Sequence, residues 1–198
     1  MDDTRSRRDY NQYIIAYDTV QPLWNETLRP AVLLETSYTT VSFPTVVLPV
    51  GNHVGEIIKK EAPEMLQEYQ LEPFEMKVQG IDRTLVDKVF AVCDYYLQGR
   101  VKRYSRHIYD IYKLLPLITQ DESFKILVGE VRAVRKISSI CPSAQDGVDI
   151  PALIGKIIDE NVYQRDYQNI TERLLEEKVD YDTAVGALKE LMKNGMFE

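Results

Sequence analysis

Lys88 and Asp110 stand where a helix that merely packed would not put a charge. Lys88 lies in Arg83-Thr-Leu-Val-Asp-Lys-Val-Phe-Ala-Val, and Asp110 lies in Arg106-His-Ile-Tyr-Asp-Ile-Tyr-Lys-Leu-Leu. Both segments carry apolar residues at helical spacing. The two residues are 22 positions apart (110 − 88) on what read as consecutive helices. A short connection makes such helices antiparallel neighbours, so both side chains can open into one cleft. An ammonium neutralises phosphate, and a carboxylate orients or accepts a proton. Together they suggest a phosphate-handling site.

Each residue also has a plainer reading. The helical neighbours of Lys88 are Thr84, Leu85, Ala91 and Val92. Lys88 either runs its stem over that apolar surface to water or holds an anion in a partly dry pocket. Asp110 has Arg106 at i−4, His107 at i−3 and Lys113 at i+3. These are ordinary salt-bridge spacings, together worth about 1 kcal/mol on a solvated face. Spacing alone favours that reading over a carboxylate aimed inward. Arg100, Lys102, Arg103, Arg106 and His107 fall within eight residues that contain no acid. The run suits a phosphate, from a nucleotide or an RNA end. It also suits a solvated helix start, although cations in a first turn oppose the helix dipole. Glu35, in Leu33-Leu34-Glu35-Thr36-Ser37, is a carboxylate on an apolar strand. Such a group can hold Mg²⁺ beside substrate phosphates, or face solvent opposite Leu34.

The elements that must position these groups change character along the chain. Residues 1–9 are polar and read as irregular. Tyr13–Tyr17 and Ala31–Tyr38 have the β-branched and aromatic content of strands, with Pro22, Asn25 and Pro30 marking their connection. Thr45–Val50 is a third apolar run, which Pro44 and Pro49 confine to an edge strand or extended loop. Helical patterns follow at 54–60 and 63–69, then an alternating strand at 74–79. Beyond Gly80 everything reads as helix: 82–98, stopped by Gly99, then 104–117, 123–137, 150–160, 163–177 and 182–193, with a loop at 141–149. Residues 82–98 are apolar on more than one stripe, which predicts a central helix. The organisation is mixed strands and helices in 1–80 and a helical region in 81–198.

The totals bound the function. The chain has 198 residues, 44% hydrophobic and 28% charged, with a formal net charge of −7. That acidity argues against nucleic-acid binding over the whole surface and leaves a local basic patch open. Two cysteines and two histidines make neither a disulfide framework nor a zinc spacing. No apolar run reaches the roughly 18 residues needed to cross a bilayer, so no membrane role is expected, and the protein reads as cytoplasmic. Walker, Gly-x-Gly-x-x-Gly, Gly-x-Ser-x-Gly and His-Glu-x-x-His motifs are absent from the sequence. Asp180-Tyr-Asp182 sits at a helix start, where capping explains it.

Taken in order, Arg29-Pro-Ala-Val-Leu-Leu-Glu-Thr-Ser and the two segments carrying Lys88 and Asp110 resemble the abortive-infection nucleotidyltransferase toxins of the AbiEii/AbiGii type. The resemblance spans roughly residues 13–135. It implies an α+β fold in which a reduced mixed β-sheet of a nucleotidyltransferase-like module, carrying Glu35, packs against a C-terminal helical bundle. It implies nucleotide transfer from an NTP with Mg²⁺ as cofactor, with tRNA as one kind of acceptor and an antitoxin as partner. Lys88 and Asp110 would be the active-site pair, Glu35 a metal carboxylate, and Arg83 and Arg106 phosphate contacts. One departure stands out: the family's Gly-Ser (or Gly-Gly-Thr) followed by Asp-x-Asp is missing from this sequence. One carboxylate cannot replace two metal-binding aspartates. The chain is therefore expected to be a truncated or split member. It would be active only with a complementing N-terminal half, or else a non-catalytic remnant that binds a nucleotide, RNA or a partner protein.

Overall fold

The computed structural model describes residues 2–7, 10–19, 30–37 and 43–198. The connection marked by Pro22 and Asn25, together with Arg29 and Tyr38, lies outside them. Two compact units divide between residues 42 and 43. Residue 80 falls inside the second, at the start of its longest helix.

In the first unit, β1 (Asp2–Arg7), β2 (Tyr10–Ala16) and β3 (Ala31–Ser37) form an antiparallel sheet in that order. Residues 2–7, expected to be irregular, instead pair with β2, Asp2 opposite Ile14 and Arg7 opposite Tyr10. Ile15 opposes Val32, Tyr13 opposes Leu34 and Gln12 opposes Glu35, so β-branched, aromatic and long side chains meet across the ladder.

The second unit opens with an antiparallel ribbon, β4 (Thr45–Val50) and β5 (Phe74–Gln79), with Val46 opposite Val78 and Val50 opposite Phe74. Both sheets are thus antiparallel, which corrects the expectation of a mixed sheet. Strands linked by a hairpin, or by a chain that doubles back through short helices, need no parallel crossover. Between the two strands lie α1 (His53–Glu61) and α2 (Met65–Glu68), the latter shorter than the expected 63–69. Asn52 caps α1 by accepting from the Gly55 amide at 2.7 Å. Gly55 itself lies against the chain: a Cβ there would sit 2.6 Å from the Leu71 carbonyl oxygen, which is backbone and cannot swing away. Gly55→Ala is expected to cost about 1–3 kcal/mol, read from the urea midpoint, as overpacking of a tight contact does.

The helices follow: α3 (Ile81–Leu97), α4 (Arg106–Leu114), α5 (Glu122–Lys136), α6 (Ile150–Asp159), the short α7 (Gln164–Asp166) and α8 (Glu172–Leu174), and α9 (Tyr181–Met192). As its pattern predicts, α3 is central: Leu85, Val86, Val89, Phe90, Val92 and Cys93 are fully buried. It stops at Gly99, whose φ of +65 permits a two-bond cap, Arg100 amide to Tyr95 carbonyl and Gly99 amide to Tyr96 carbonyl. Asp121, Asp149 and Asp180 each accept a first-turn amide and start α5, α6 and α9. The single helix expected over 163–177 is broken instead. Between α7 and α8 the turn Tyr167–Thr171 is π-helical. Around it Tyr163, Tyr167 and Thr171 are buried with each hydroxyl partnered.

Candidate active site

Helix α3 presents Lys88 and α4 presents Asp110, and the two helices pack along their length. Tyr95 faces Tyr104, while Lys88, seven residues earlier, faces residues 107–110. Contacts that descend on one helix and ascend on the other mean antiparallel neighbours, as the short connection 98–105 requires.

Lys88 Nζ lies 2.7 Å from Asp110 Oδ2, with the two side chains 29% and 32% exposed. The third member is His107, one turn before Asp110. Its Nδ1 is 3.4 Å from Asp110 Oδ2 and 3.4 Å from Lys88 Nζ. Burial lowers the His107 value below the usual 6.5, the bond to Asp110 opposes this, and the charge of Lys88 lowers it further. The ring is therefore neutral at pH 7. It donates to Asp110 in one tautomer and accepts from Lys88 in the other. Partial burial alone would raise the Asp110 value. The bonds from His107 and Lys88 outweigh it and hold the carboxyl below the usual 3.8. A lysine ammonium, an ionised carboxylate and a neutral imidazole thus share one half-open site.

The remaining sequence candidates divide. Arg106 begins α4 exposed to solvent, and its charge reaches His107 and Tyr95. It borders the pair. Arg83 does not reach it. It is fully buried, about 140° around α3 from Lys88. Its Nε donates to Asp87 at 2.9 Å, Nη1 donates to the Phe43 carbonyl at 3.1 Å, and its guanidinium lies over the Phe43 ring. Glu35 belongs to the first unit, where its Oε1 accepts from the Tyr10 hydroxyl and from Gln12 Nε2. Among the described residues, no group of three or more His, Cys, Asp or Glu side chains could hold a metal ion. A single strand carboxylate already bonded to two neighbours does not fit Mg²⁺ carrying phosphates.

Spacing did not single out two sets of residues. Tyr95 and Tyr104 stack at 3.5 Å between ring centroids, with the His107 ring close to parallel to both. Asp87 and Asp94 form the second set with Arg135. Asp87 accepts from Arg83 and from Arg135 Nη1 at 2.9 Å, while buried Asp94 accepts from Arg135 Nη2 at 2.7 Å. Residues 83, 87 and 94 lie along one stripe of α3, a charged row in a buried helix, and that spacing was the available signal. A cavity of about 500 Å³ borders Arg135, but two aspartates already neutralise its guanidinium, which leaves it little pull on an anion.

The family model for the AbiEii nucleotidyl transferase toxin, of type IV toxin–antitoxin systems, matches residues 2–187. The chain belongs to the AbiEii family. No curated protein and no solved structure gives a match. The AbiEii match covers both units, including the segments of Glu35, Lys88 and Asp110. Among the described residues of this AbiEii protein, no helix is long and apolar enough to cross a membrane.

Proposed function

We propose that this AbiEii-family protein takes part in nucleotidyl transfer from an NTP to an RNA acceptor such as a tRNA, as the cytoplasmic toxin of a pair with an antitoxin. The contact between Lys88 and Asp110 carries the reading. In it the ammonium binds a phosphate of the NTP and the carboxylate orients the acceptor hydroxyl. A carboxylate held below its ordinary value is a weaker base, which favours orientation over full proton removal. A phosphate that recruits Lys88 also removes one of the bonds that depress Asp110, so substrate binding would itself raise the basicity of the carboxylate. Arg106, with Arg100, Lys102 and Arg103 in the same acid-free run, would follow the acceptor backbone.

The test is incubation with labelled NTPs, Mg²⁺ and total tRNA, beside Lys88→Ala and Asp110→Ala. Where wild-type protein transfers label, at least about tenfold loss in each variant is the expected result; equal label in all three proteins removes the site. A second reading, a protein that holds a nucleotide or RNA without turnover, is supported by the lack of a metal-binding cluster among the described residues. Calorimetric titration with NTP that shows binding dependent on Lys88, without transfer, would select it.

A further inference from the structure

Helix α4 carries His107 and Asp110, yet it does not cap itself. Ser105 stands at its N-cap and makes no side-chain cap bond. Its hydroxyl is turned inward to Thr171 Oγ1 at 2.7 Å, both residues being buried. The missing acceptor comes from 61 residues away. Asp166 Oδ2 accepts from the Ser105 amide at 3.2 Å, and Asp166 Oδ1 accepts from the Arg103 amide at 2.8 Å. Both carboxylate oxygens are thereby committed to the segment 103–105. Between these two bonds Arg103 sits at φ +71, a left-handed conformation that a side chain other than glycine disfavours.

The arrangement also answers an electrostatic difficulty. Arg100, Lys102, Arg103 and Arg106 crowd the positive end of α4 without a local acid. Asp166 supplies a negative charge there from outside the run. Thr171 ends the π-helical turn that begins one residue after Asp166. One irregular segment thus holds the start of α4 twice, by carboxylate and by hydroxyl.

We propose that Asp166 is a positioning residue for the Lys88–Asp110 site, fixing the first turn of α4, and with it His107 and Asp110, against α3. The proposal rests on the reading of that pair as the working site. Without the fork, residues 103–105 are free to leave the left-handed conformation. The first turn would then rotate, carrying His107 away from the groups that face it: Lys88 and Tyr95 on α3, and Asp110, Arg106 and Tyr104 beside it.

The test compares wild-type protein with Asp166→Ala, Asp166→Asn and Asp166→Glu, following the two histidines by NMR titration beside the transfer assay. His53, with a fully exposed side chain in α1, is the internal control. In Asp166→Ala the His107 midpoint should move up, toward its ordinary value, with His53 unmoved. Turnover should fall about tenfold with the KM for NTP changed less than threefold, and Asp166→Glu should recover part of both. Should Asp166→Ala fail to fold, Asp166→Asn and Thr171→Val loosen the same segment more gently and should move His107 in the same direction. A folded variant that loses the Arg103 and Ser105 amide bonds while His107 and turnover stay unchanged overturns the proposal. If wild-type protein transfers nothing, the functional reading fails separately, and an unshifted His107 midpoint alone then decides against Asp166.

Discussion

Asp110→Asn is expected to lower nucleotide transfer about 10²–10⁴-fold, the range lost with a positioned acid–base group. The amide keeps the volume but carries no charge to draw the proton of an acceptor hydroxyl. Because the pair is about a third exposed, its screened attraction is worth about 1 kcal/mol or less, so melting at pH 7 should stay near wild type. Acid then separates the two proteins. The folded Asp110 value lies below the unfolded 3.8, so the carboxylate contributes stability present above that pH and lost as pH falls through the folded value. His107 acts in the same direction. Its folded value lies below 6.5, so as pH falls past that point the unfolded chain takes up a proton that the buried ring refuses. Wild-type protein should lose stability on acidification in two stages, below pH 6.5 and again below 3.8. In Asp110→Asn the lower stage shrinks to what Asp121, Asp146 and Asp180 contribute, since their folded values also lie below 3.8. The upper stage deepens, because His107 keeps its burial and loses the bond that opposed it. Melting both proteins from about pH 8 to about pH 3 reads this directly. Superimposable curves would mean that Asp110 and His107 do not share an environment.

What the sequence disclosed follows from what periodicity can encode. Apolar spacing located α3 and α4, and the short link between them predicted that Lys88 and Asp110 would share a face, where they lie 2.7 Å apart. Alternation located β5, and the caps Asp121 and Asp180 stood at the helix starts where their types belong. Pairing direction was not legible, since a strand's own pattern says nothing of which neighbour it meets, and the sheets proved antiparallel. Residues 2–7 are polar, yet they pair with β2 through backbone bonds that no side-chain pattern announces. Arg83 shows the reverse problem. Its type suggested phosphate contact, but its i+4 partner Asp87 and the distant Phe43 carbonyl engage it inside the fold. The cap that Asp166 gives to α4 spans 61 residues, a distance over which no local pattern reports.

The buried charge row should prove the strongest determinant of stability. Arg83, Asp87, Arg135 and Asp94 alternate in sign and link in that order. Asp94 also accepts from the Ser143 amide at 2.8 Å and the Ser143 hydroxyl at 2.6 Å, both buried. Asp94→Ala leaves two cations sharing one carboxylate in a desolvated setting, and a buried pair broken on one side costs about 3–5 kcal/mol. Removing Arg135 as well restores balance, since Arg83 and Asp87 remain a matched pair. The double variant Asp94→Leu with Arg135→Met should therefore recover most of the loss. A remainder of about 1–3 kcal/mol would persist, from the Ser143 groups left without their acceptor. Urea unfolding of the three proteins measures each step. A double variant no more stable than Asp94→Ala would mean that the cost comes from the buried Ser143 groups left without their acceptor and not from the uncompensated charge of Arg135.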